Sequence, residues 1–210
     1  MTTHYDLSEP SLRGAAGIVR GGGVIAFPTE TFYGLGVCPF DARAVRRIFD
    51  LKGRPFKEAP ILVLIRSRAD LETLAVEITP AAERLMEACW PCPLTIVFHA
   101  AAAVPSVLTA GTGTIGVRLP AHPDVHRLLE AVGGPLTATS ANRSGRPPAT
   151  TVDEVERTLG GGVDAILNGG ATSGGLPSPV VDTTVTPPRL IREGRVPRAS
   201  LLSIIGSLAA

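Results

Sequence analysis

Cationic and hydroxyl side chains follow short apolar runs in this sequence, at the positions where an open α/β sheet places its ligands. The clusters are residues 28–36 (PTETFYGLG), 52–54 (KGR), 118 and 137–145 (TATSANRSG), with a weaker one at Ser178 and Arg192. Guanidinium, ammonium, amide and hydroxyl groups with few nearby carboxylates suit an anionic ligand. Loop composition alone accounts for any one cluster, and a structural ion pair is an almost equally good explanation for Arg118 by itself. Their shared position at strand ends favours one binding site.

The composition indicates a globular chain and excludes several classes of protein. Of 210 residues 44% are hydrophobic and 19% are charged, so we expect one domain spanning residues 1–210. Lys+Arg number 20 and Asp+Glu 19, which excludes a broadly basic surface for nucleic-acid backbones but not a local basic pocket. The polar first ten residues do not form a signal peptide. No run approaches the ~18–20 apolar residues of a membrane span, so we expect a cytoplasmic protein with no membrane partner.

The three cysteines, Cys38, Cys89 and Cys92, predict neither a disulfide framework nor a metal centre. An odd, sparse set is not typical of secreted scaffolds. Residues 89–92 (CWPC) spell C-x-x-C, and a zinc or redox site there stays open. However, no second C-x-x-C or H-x-x-H completes a tetrahedral site. Two cysteines flanking a helix-to-strand turn are the favoured interpretation, and no protein-held metal is predicted.

Hydrophobic periodicity predicts strands alternating with helices. A stripe at residues 12–19 indicates a first helix, the run at 24–27 a buried strand and residues 28–40 a loop. Further strands are expected at 61–65, 94–98, 115–119, 136–139, 165–167, 180–183 and 190–192. Further helices are expected from Asp41 to about Lys52, from Thr79-Pro80, at 123–132 and at 151–160, and a docking helix within 201–210. Some strands are joined by short links, which favours an α/β fold with a mixed sheet. Residues 111–116 (GTGTIG) match G-x-G-x-x-G, but a strand follows them, so a dinucleotide site is rejected.

Six motifs occur in one order along residues 11–196. They are residues 24–36 (VIAFPTETFYGLG), 52–55 (KGRP), 90–95 (WPCPLT), 116–120 (GVRLP), 139–145 (TSANRSG) and 191–194 (IREG). Together they resemble the YrdC-like family of L-threonylcarbamoyladenylate synthases, in a short form without a C-terminal extension domain. The resemblance implies a twisted mixed parallel/antiparallel sheet with flanking helices around a deep electropositive cavity. Cys92 stands where the family usually has Gly, so its C-x-x-C spacing looks coincidental.

The resemblance also implies a reaction and a set of site residues. L-threonine, bicarbonate and ATP would give threonylcarbamoyladenylate and pyrophosphate, for threonylcarbamoyladenosine formation in tRNA. Magnesium would be carried in with ATP, and a tRNA or a tRNA-modifying transferase complex is a possible partner. The implied catalytic residues are Lys52 and Arg54, which would also bind ATP with Thr114, Ser140, Asn142 and Arg192. The implied threonine-binding residues are Thr31, Arg118, Ala138 and Ser178. Glu30 could assist the metal or cap a turn.

Two other functions are weighed against this one. An RNA-binding module would use the same basic cavity without catalysis, but the near-neutral charge and an aromatic content of 4% count against it. A carbamoyl-transfer role, as in hydrogenase-maturation carbamoyltransferases that share the fold, belongs to much larger proteins.

Overall fold

The computed structural model describes residues 2–55 and 59–209, which fold into one sheet with helices on both faces. The helices are α1 (Glu9–Arg20), α2 (Ala42–Lys52), α3 (Arg68–Leu74), α4 (Pro80–Cys89), α5 (Pro123–Val132), α6 (Val152–Leu159) and α7 (Arg198–Ile205). The strands are β1 (Thr3–Tyr5), β2 (Ile25–Pro28), β3 (Tyr33–Gly36), β4 (Leu62–Leu64), β5 (Ala75–Val76), β6 (Thr95–Ala100), β7 (Thr114–Arg118), β8 (Leu136–Ser140), β9 (Ala165–Leu167), β10 (Val180–Asp182) and β11 (Arg189–Arg192).

The strands form a mixed sheet in the order β1-β9-β2-β3-β8-β4-β7-β6-β10-β11, with β5 paired to β6. Pairs β1/β9, β2/β9, β4/β7 and β6/β10 are parallel, and the remaining pairs are antiparallel. The short links from β2 to β3 and from β10 to β11 join antiparallel neighbours, as a direct connection between adjacent strands requires. The predicted α/β fold with a mixed parallel/antiparallel sheet and flanking helices is confirmed.

The two faces of the sheet are covered differently. Successive side chains of a strand point to opposite faces, and one face packs α2, α3, α4, α6 and α7 around core residues such as Val63, Ile96 and Val117. The other face packs α1 and α5 against residues such as Phe27 and Leu136. Over β7, β6 and β10 this second face carries instead the side chains that line a cavity.

Several elements differ from the sequence predictions. The predicted loop at 28–40 is wrong in part, because residues 33–36 form β3 and pair with β2. The glycines of this strand weaken its signal in the sequence. The fold requires glycine at position 36, because a Cβ there would lie 2.9 Å from a Phe27 ring carbon and 3.0 Å from Leu136. Strands β1 and β5 and helix α3 were not predicted. The C-terminal helix is Arg198–Ile205, earlier than predicted, and ends at Gly206 with φ +78°; Ala210 lies outside the described residues.

The G-x-G-x-x-G match does not open a helix. Gly111 and Gly113 have φ of +77° and +72° in a turn, and β7 begins at Thr114. The rejection of a dinucleotide site on this motif is confirmed by that strand. Among the described residues, every helix is too short or too polar to cross a bilayer.

Candidate functional site

A cavity of about 960 Å³ lies on the part of the sheet that α1 and α5 leave open. Its walls come from the segments after β2, α2, β8 and β9, and its floor from β4, β6, β7 and β10. All ten side chains predicted for the site line this one cavity: Thr31, Lys52, Arg54, Thr114, Arg118, Ala138, Ser140, Asn142, Ser178 and Arg192. Their individual roles stay predictions.

Positive side chains outnumber negative ones in the described lining. Five cations, Lys52, Arg54, Arg118, Arg189 and Arg192, face one carboxylate, Asp182. That carboxylate accepts hydrogen bonds from Arg189 at 3.2 Å and from the Thr184 hydroxyl at 2.6 Å, so its charge is compensated locally. The excess of cations suits a ligand that carries several anionic oxygens.

The register of the sheet places Arg118 beside Thr95, a residue the sequence interpretation did not assign to the site. Strands β6 and β7 pair Ile96 with Val117, so the next antiparallel pair is Thr95 with Arg118. Directly opposed side chains share a face of the sheet, and both residues line the cavity. Within the described chain, the buried Thr95 Oγ1 has no hydrogen-bond partner. Only the register, which requires the fold, reveals this position.

Arg118 is held on two sides. The residue is 7% exposed, and one Nη donates a hydrogen bond to the Ser178 hydroxyl at 2.7 Å. The other Nη donates to a carboxylate oxygen of Glu30, with which it forms an ion pair. In the described part of the chain the buried Nε–H has no partner, so the guanidinium retains donors for an anionic group.

Glu30 forms an ion pair with Arg118, a contact that the sequence interpretation did not predict. Its second carboxylate oxygen accepts a hydrogen bond from the main-chain N–H of Ala121 at 3.3 Å. Burial tends to raise the pKa of Glu30, but the charge of Arg118 and the hydrogen bonds outweigh it and hold that pKa below its usual range. Glu30 is therefore ionised at neutral pH.

Lys52 is the last residue of α2, and its ammonium lies under the loop that follows β8. The residue is 3% exposed, and Nζ donates to the carbonyl oxygens of Ser140 at 2.6 Å and Asn142 at 3.0 Å. A third bond of 3.2 Å reaches Asn142 Oδ1. An ammonium has three donors, so a contact with a phosphate would have to replace one of these bonds. Burial, and next the positive charge of Arg54, lower the pKa of Lys52 to about 8.

The loop after β8 is a compact polar network centred on Asn142. Its Oδ1 also accepts a hydrogen bond from the Ser140 hydroxyl at 2.5 Å. Its amide nitrogen donates to the carbonyl oxygens of Arg143 at 3.0 Å and Arg146 at 2.6 Å. Every polar atom of Asn142 is thus engaged, and these bonds tie the loop to Lys52 and to its own main chain beside the cavity.

Arg54 and Arg192 approach the cavity from different walls. The Arg54 guanidinium carbon lies 5.2 Å from the centroid of the Phe49 ring, and one Nη donates to the Ala59 carbonyl at 3.2 Å. Arg192 donates through Nε and Nη to the carbonyl oxygen of Ser178, at 3.1 and 2.7 Å. Ser178 is thus held between Arg118 and Arg192.

Both C-x-x-C cysteines are free thiols: Cys89 is the last residue of α4, and Cys92 lies in the segment that leads to β6. Burial, and next the neighbouring Cys89, raise the pKa of Cys92 to about 12, and burial raises the pKa of Cys89. Both thiols are therefore protonated at neutral pH, a state that disfavours nucleophilic or metal-binding chemistry.

The sequence matches one family model over residues 17–194, the Sua5/YciO/YrdC model, whose description is "Telomere recombination". The chain belongs to this family. The match spans the open face of the sheet and all ten residues of the predicted site.

Named relatives agree with the family assignment. A threonylcarbamoyl-AMP synthase of Pyrococcus abyssi is 43% identical over 202 residues, which cover 96% of this chain and 59% of that protein. A threonylcarbamoyl-AMP synthase of Halorhodospira halophila is 43% identical over 173 residues, which cover 81% of this chain and 89% of that protein. The crystal structure of P. abyssi Sua5 complexed with L-threonine matches with a TM-score of 0.92 and 40% identity, over 100% of this chain and 62% of that one. The chain thus spans about 60% of the length of its Pyrococcus relatives.

Proposed function

We propose that this chain is an L-threonylcarbamoyladenylate synthase, a nucleotidyltransferase that uses L-threonine, bicarbonate and ATP. The observation that carries the proposal is the convergence of five cations and several hydroxyl groups on one cavity. A triphosphate and an amino-acid carboxylate together present the anionic oxygens that such a lining recognises. The relatives named threonylcarbamoyl-AMP synthase, and the L-threonine in the P. abyssi Sua5 structure, support the same substrates.

The proposed chemistry has two steps. The amine of threonine and bicarbonate give N-carboxythreonine and water. A carbamate oxygen then attacks the α-phosphorus of ATP, the bond from that phosphorus to the oxygen bridging to the β-phosphate breaks, and pyrophosphate leaves. Such a transfer needs alignment and charge neutralisation more than proton transfer by the protein. This requirement matches a lining rich in cations and poor in carboxylates.

The amino acid would bind where Arg118 and Ser178 meet. The Arg118 donors left by Glu30 and Ser178 would bind the threonine carboxylate. Thr31 lies 9% exposed on the neighbouring wall, and Ala138 of β8 supplies backbone beside it. The threonine amine would then face the rest of the cavity, where the phosphates would lie.

ATP would occupy the remaining volume. Arg54 and Arg192 would bind phosphate oxygens, and the hydroxyl or amide groups of Thr114, Ser140 and Asn142 line the same space. Lys52 contributes positive charge to this wall while its hydrogens hold the loop after β8. Arg54 would stabilise the charge that develops on the leaving pyrophosphate.

Magnesium would enter on the triphosphate and offset part of its charge. In the described lining the single carboxylate, Asp182, is already bound by Arg189 and Thr184. The residues present therefore fit a metal carried by the nucleotide rather than one held by a protein cage. We further propose that the enzyme works in the cytoplasm and passes its labile product to a tRNA-modifying transferase.

Mass spectrometry of the product tests the proposal. The chain is incubated with ATP, magnesium, bicarbonate and L-threonine, and threonylcarbamoyladenylate and pyrophosphate are expected only when all four are present. A folded chain that makes no adenylate would contradict the proposed reaction. If that chain instead bound RNA with a steep salt dependence, the RNA-binding alternative would be favoured.

A further inference from the structure

Glu30 contacts Arg118 from outside the cavity. Its sequence neighbours Thr29 and Thr31 are among the described residues that line the cavity, whereas Glu30 is not. Its carboxylate, with a side chain 17% exposed, joins Arg118 on one side and the main-chain N–H of Ala121 on the other. Within the described chain, the Glu30 carboxylate therefore reaches the candidate amino-acid site through its contact with Arg118.

The ion pair fixes the direction of the Arg118 guanidinium. A guanidinium is planar and rigid, so two anchors on different nitrogens determine its orientation. Glu30 binds one Nη and Ser178 the other, and the Ser178 main chain is in turn held by Arg192. The resulting chain of hydrogen bonds runs from Ala121 to Arg192 and holds the Arg118 guanidinium in one orientation.

We propose that Glu30 is a positioning residue for amino-acid recognition, which orients Arg118 toward the carboxylate of L-threonine. This inference rests on the proposed function. Glu30 also cancels part of the positive charge of Arg118, an effect that by itself weakens anion binding. Orientation and charge therefore make opposite predictions for the removal of Glu30, and experiment can separate them.

The variants Glu30→Gln and Glu30→Ala test the proposal. If Glu30 orients Arg118, Glu30→Ala weakens L-threonine binding at least about tenfold, as expected for the loss of a charged hydrogen bond, and Glu30→Gln weakens it less. If Glu30 only neutralises Arg118, both variants bind L-threonine more tightly. Calorimetry with L-threonine alone gives these affinities. Glu83→Ala, which breaks the surface ion pair with Arg68, is the matched control.

Steady-state kinetics separate a specific effect on threonine binding from a general loss of stability. We expect KM for L-threonine to rise in both variants, while KM for ATP and kcat at saturating threonine stay within about twofold of the parent values. Equal increases in the two KM values, or unchanged threonine binding in a folded Glu30→Gln protein, would overturn the proposal. Thermal unfolding establishes folding, and Glu30→Gln, which keeps the side-chain length and an acceptor for Arg118, carries the test if Glu30→Ala does not fold.

The experiments distinguish an error in the positioning role of Glu30 from an error in the proposed reaction. A parent chain that binds L-threonine but forms no adenylate overturns the proposed reaction, and the calorimetric comparison of Glu30 variants still decides the positioning role. A parent chain that forms adenylate, with Glu30 variants that bind threonine as well as it does, overturns the positioning role alone.

Discussion

Lys52 and Asn142 are joined by two hydrogen bonds from one ammonium group. Nζ of Lys52 donates to the main-chain oxygen of Asn142 at 3.0 Å and to its side-chain Oδ1 at 3.2 Å. The carbonyl oxygen of Lys52 accepts a further bond from the N–H of Ser144 at 2.8 Å. The end of α2 and the loop after β8 are therefore one unit, although 90 residues separate Lys52 from Asn142.

Lys52→Met tests whether this unit shapes the nucleotide side of the cavity. The change leaves the oxygens of Ser140 and Asn142 without their buried donor, so we expect the free energy of unfolding to fall by about 1–3 kcal/mol. KM for ATP should rise more than KM for threonine, because Ser140 and Asn142 lose their support. Urea unfolding and initial rates measure the two effects, with Arg46→Met on the exposed face of α2 as the control. An unchanged KM for ATP would contradict this role.

The lowered pKa of Lys52 predicts opposite pH trends for activity and stability. As pH rises through about 8, Lys52 loses one of its three donors, so KM for ATP should increase. In the unfolded chain the Lys52 ammonium keeps its proton up to a pKa of 10.5. Between pH 8 and pH 10.5 the unfolded chain therefore binds more protons than the folded chain. The contribution of Lys52 to the free energy of unfolding therefore rises with pH in this window and is smallest below pH 8. KM profiles and melting temperatures from pH 7 to 10 test the prediction, and Lys52→Met should lack the alkaline rise in KM.

Arg54→Ala should affect turnover far more than stability. Loss of a cation that stabilises transition-state charge typically costs about 10²–10³ in rate, whereas the contact with the Phe49 ring contributes about 0.5–1 kcal/mol. Threonine- and bicarbonate-dependent exchange between ATP and pyrophosphate measures turnover, and urea unfolding measures stability. Arg157→Ala, an exposed cation of α6, serves as the control. Exchange at the parent rate in a folded Arg54→Ala protein would reject the assigned role.

The strands and helices that the sequence predicted are those whose pattern is purely local. The apolar run at residues 165–167 and the apolar stripe of α1 are recognisable in the sequence, because burial requires apolar side chains at a fixed spacing. Strand β3 was missed because two of its four residues are glycines, of which Gly36 is needed for the close approach of Phe27 and Leu136. Helix α3 has only seven residues and contributes Leu71 and Leu74 to the core, too little for a periodic signal.

For the site, too, the local features were predictable from the sequence and the tertiary contacts were not. Residue type and position at strand ends, together with the family resemblance, predicted the ten residues that the structure gathers around one cavity. The partners of those residues were not predictable, because they depend on tertiary contacts. Glu30 and Arg118 lie 88 positions apart, and the neighbourhood of Thr95 and Arg118 follows only from the register of β6 with β7.

Gly194 lies against the backbone of the segment that carries Ser178, and its substitution should damage the threonine side of the cavity. A Cβ on Gly194 would overlap the Pro177 oxygen and the Pro179 nitrogen, and would lie 2.7 Å from the Ser178 carbonyl carbon. Because the obstructing atoms belong to the main chain, Gly194→Ala must shift residues 177–179 and with them the Ser178 hydroxyl that accepts from Arg118.

We therefore expect Gly194→Ala to raise KM for L-threonine at least about tenfold, the effect of one lost hydrogen bond to a charged group. Calorimetric binding of L-threonine and steady-state rates measure the change. Gly17→Ala is the matched control, because a Cβ there meets nothing within 4 Å on helix α1. It should leave KM unchanged and stabilise the fold by about 0.5–1 kcal/mol. Parent-like threonine affinity in Gly194→Ala would show that the position of Ser178 does not govern amino-acid binding.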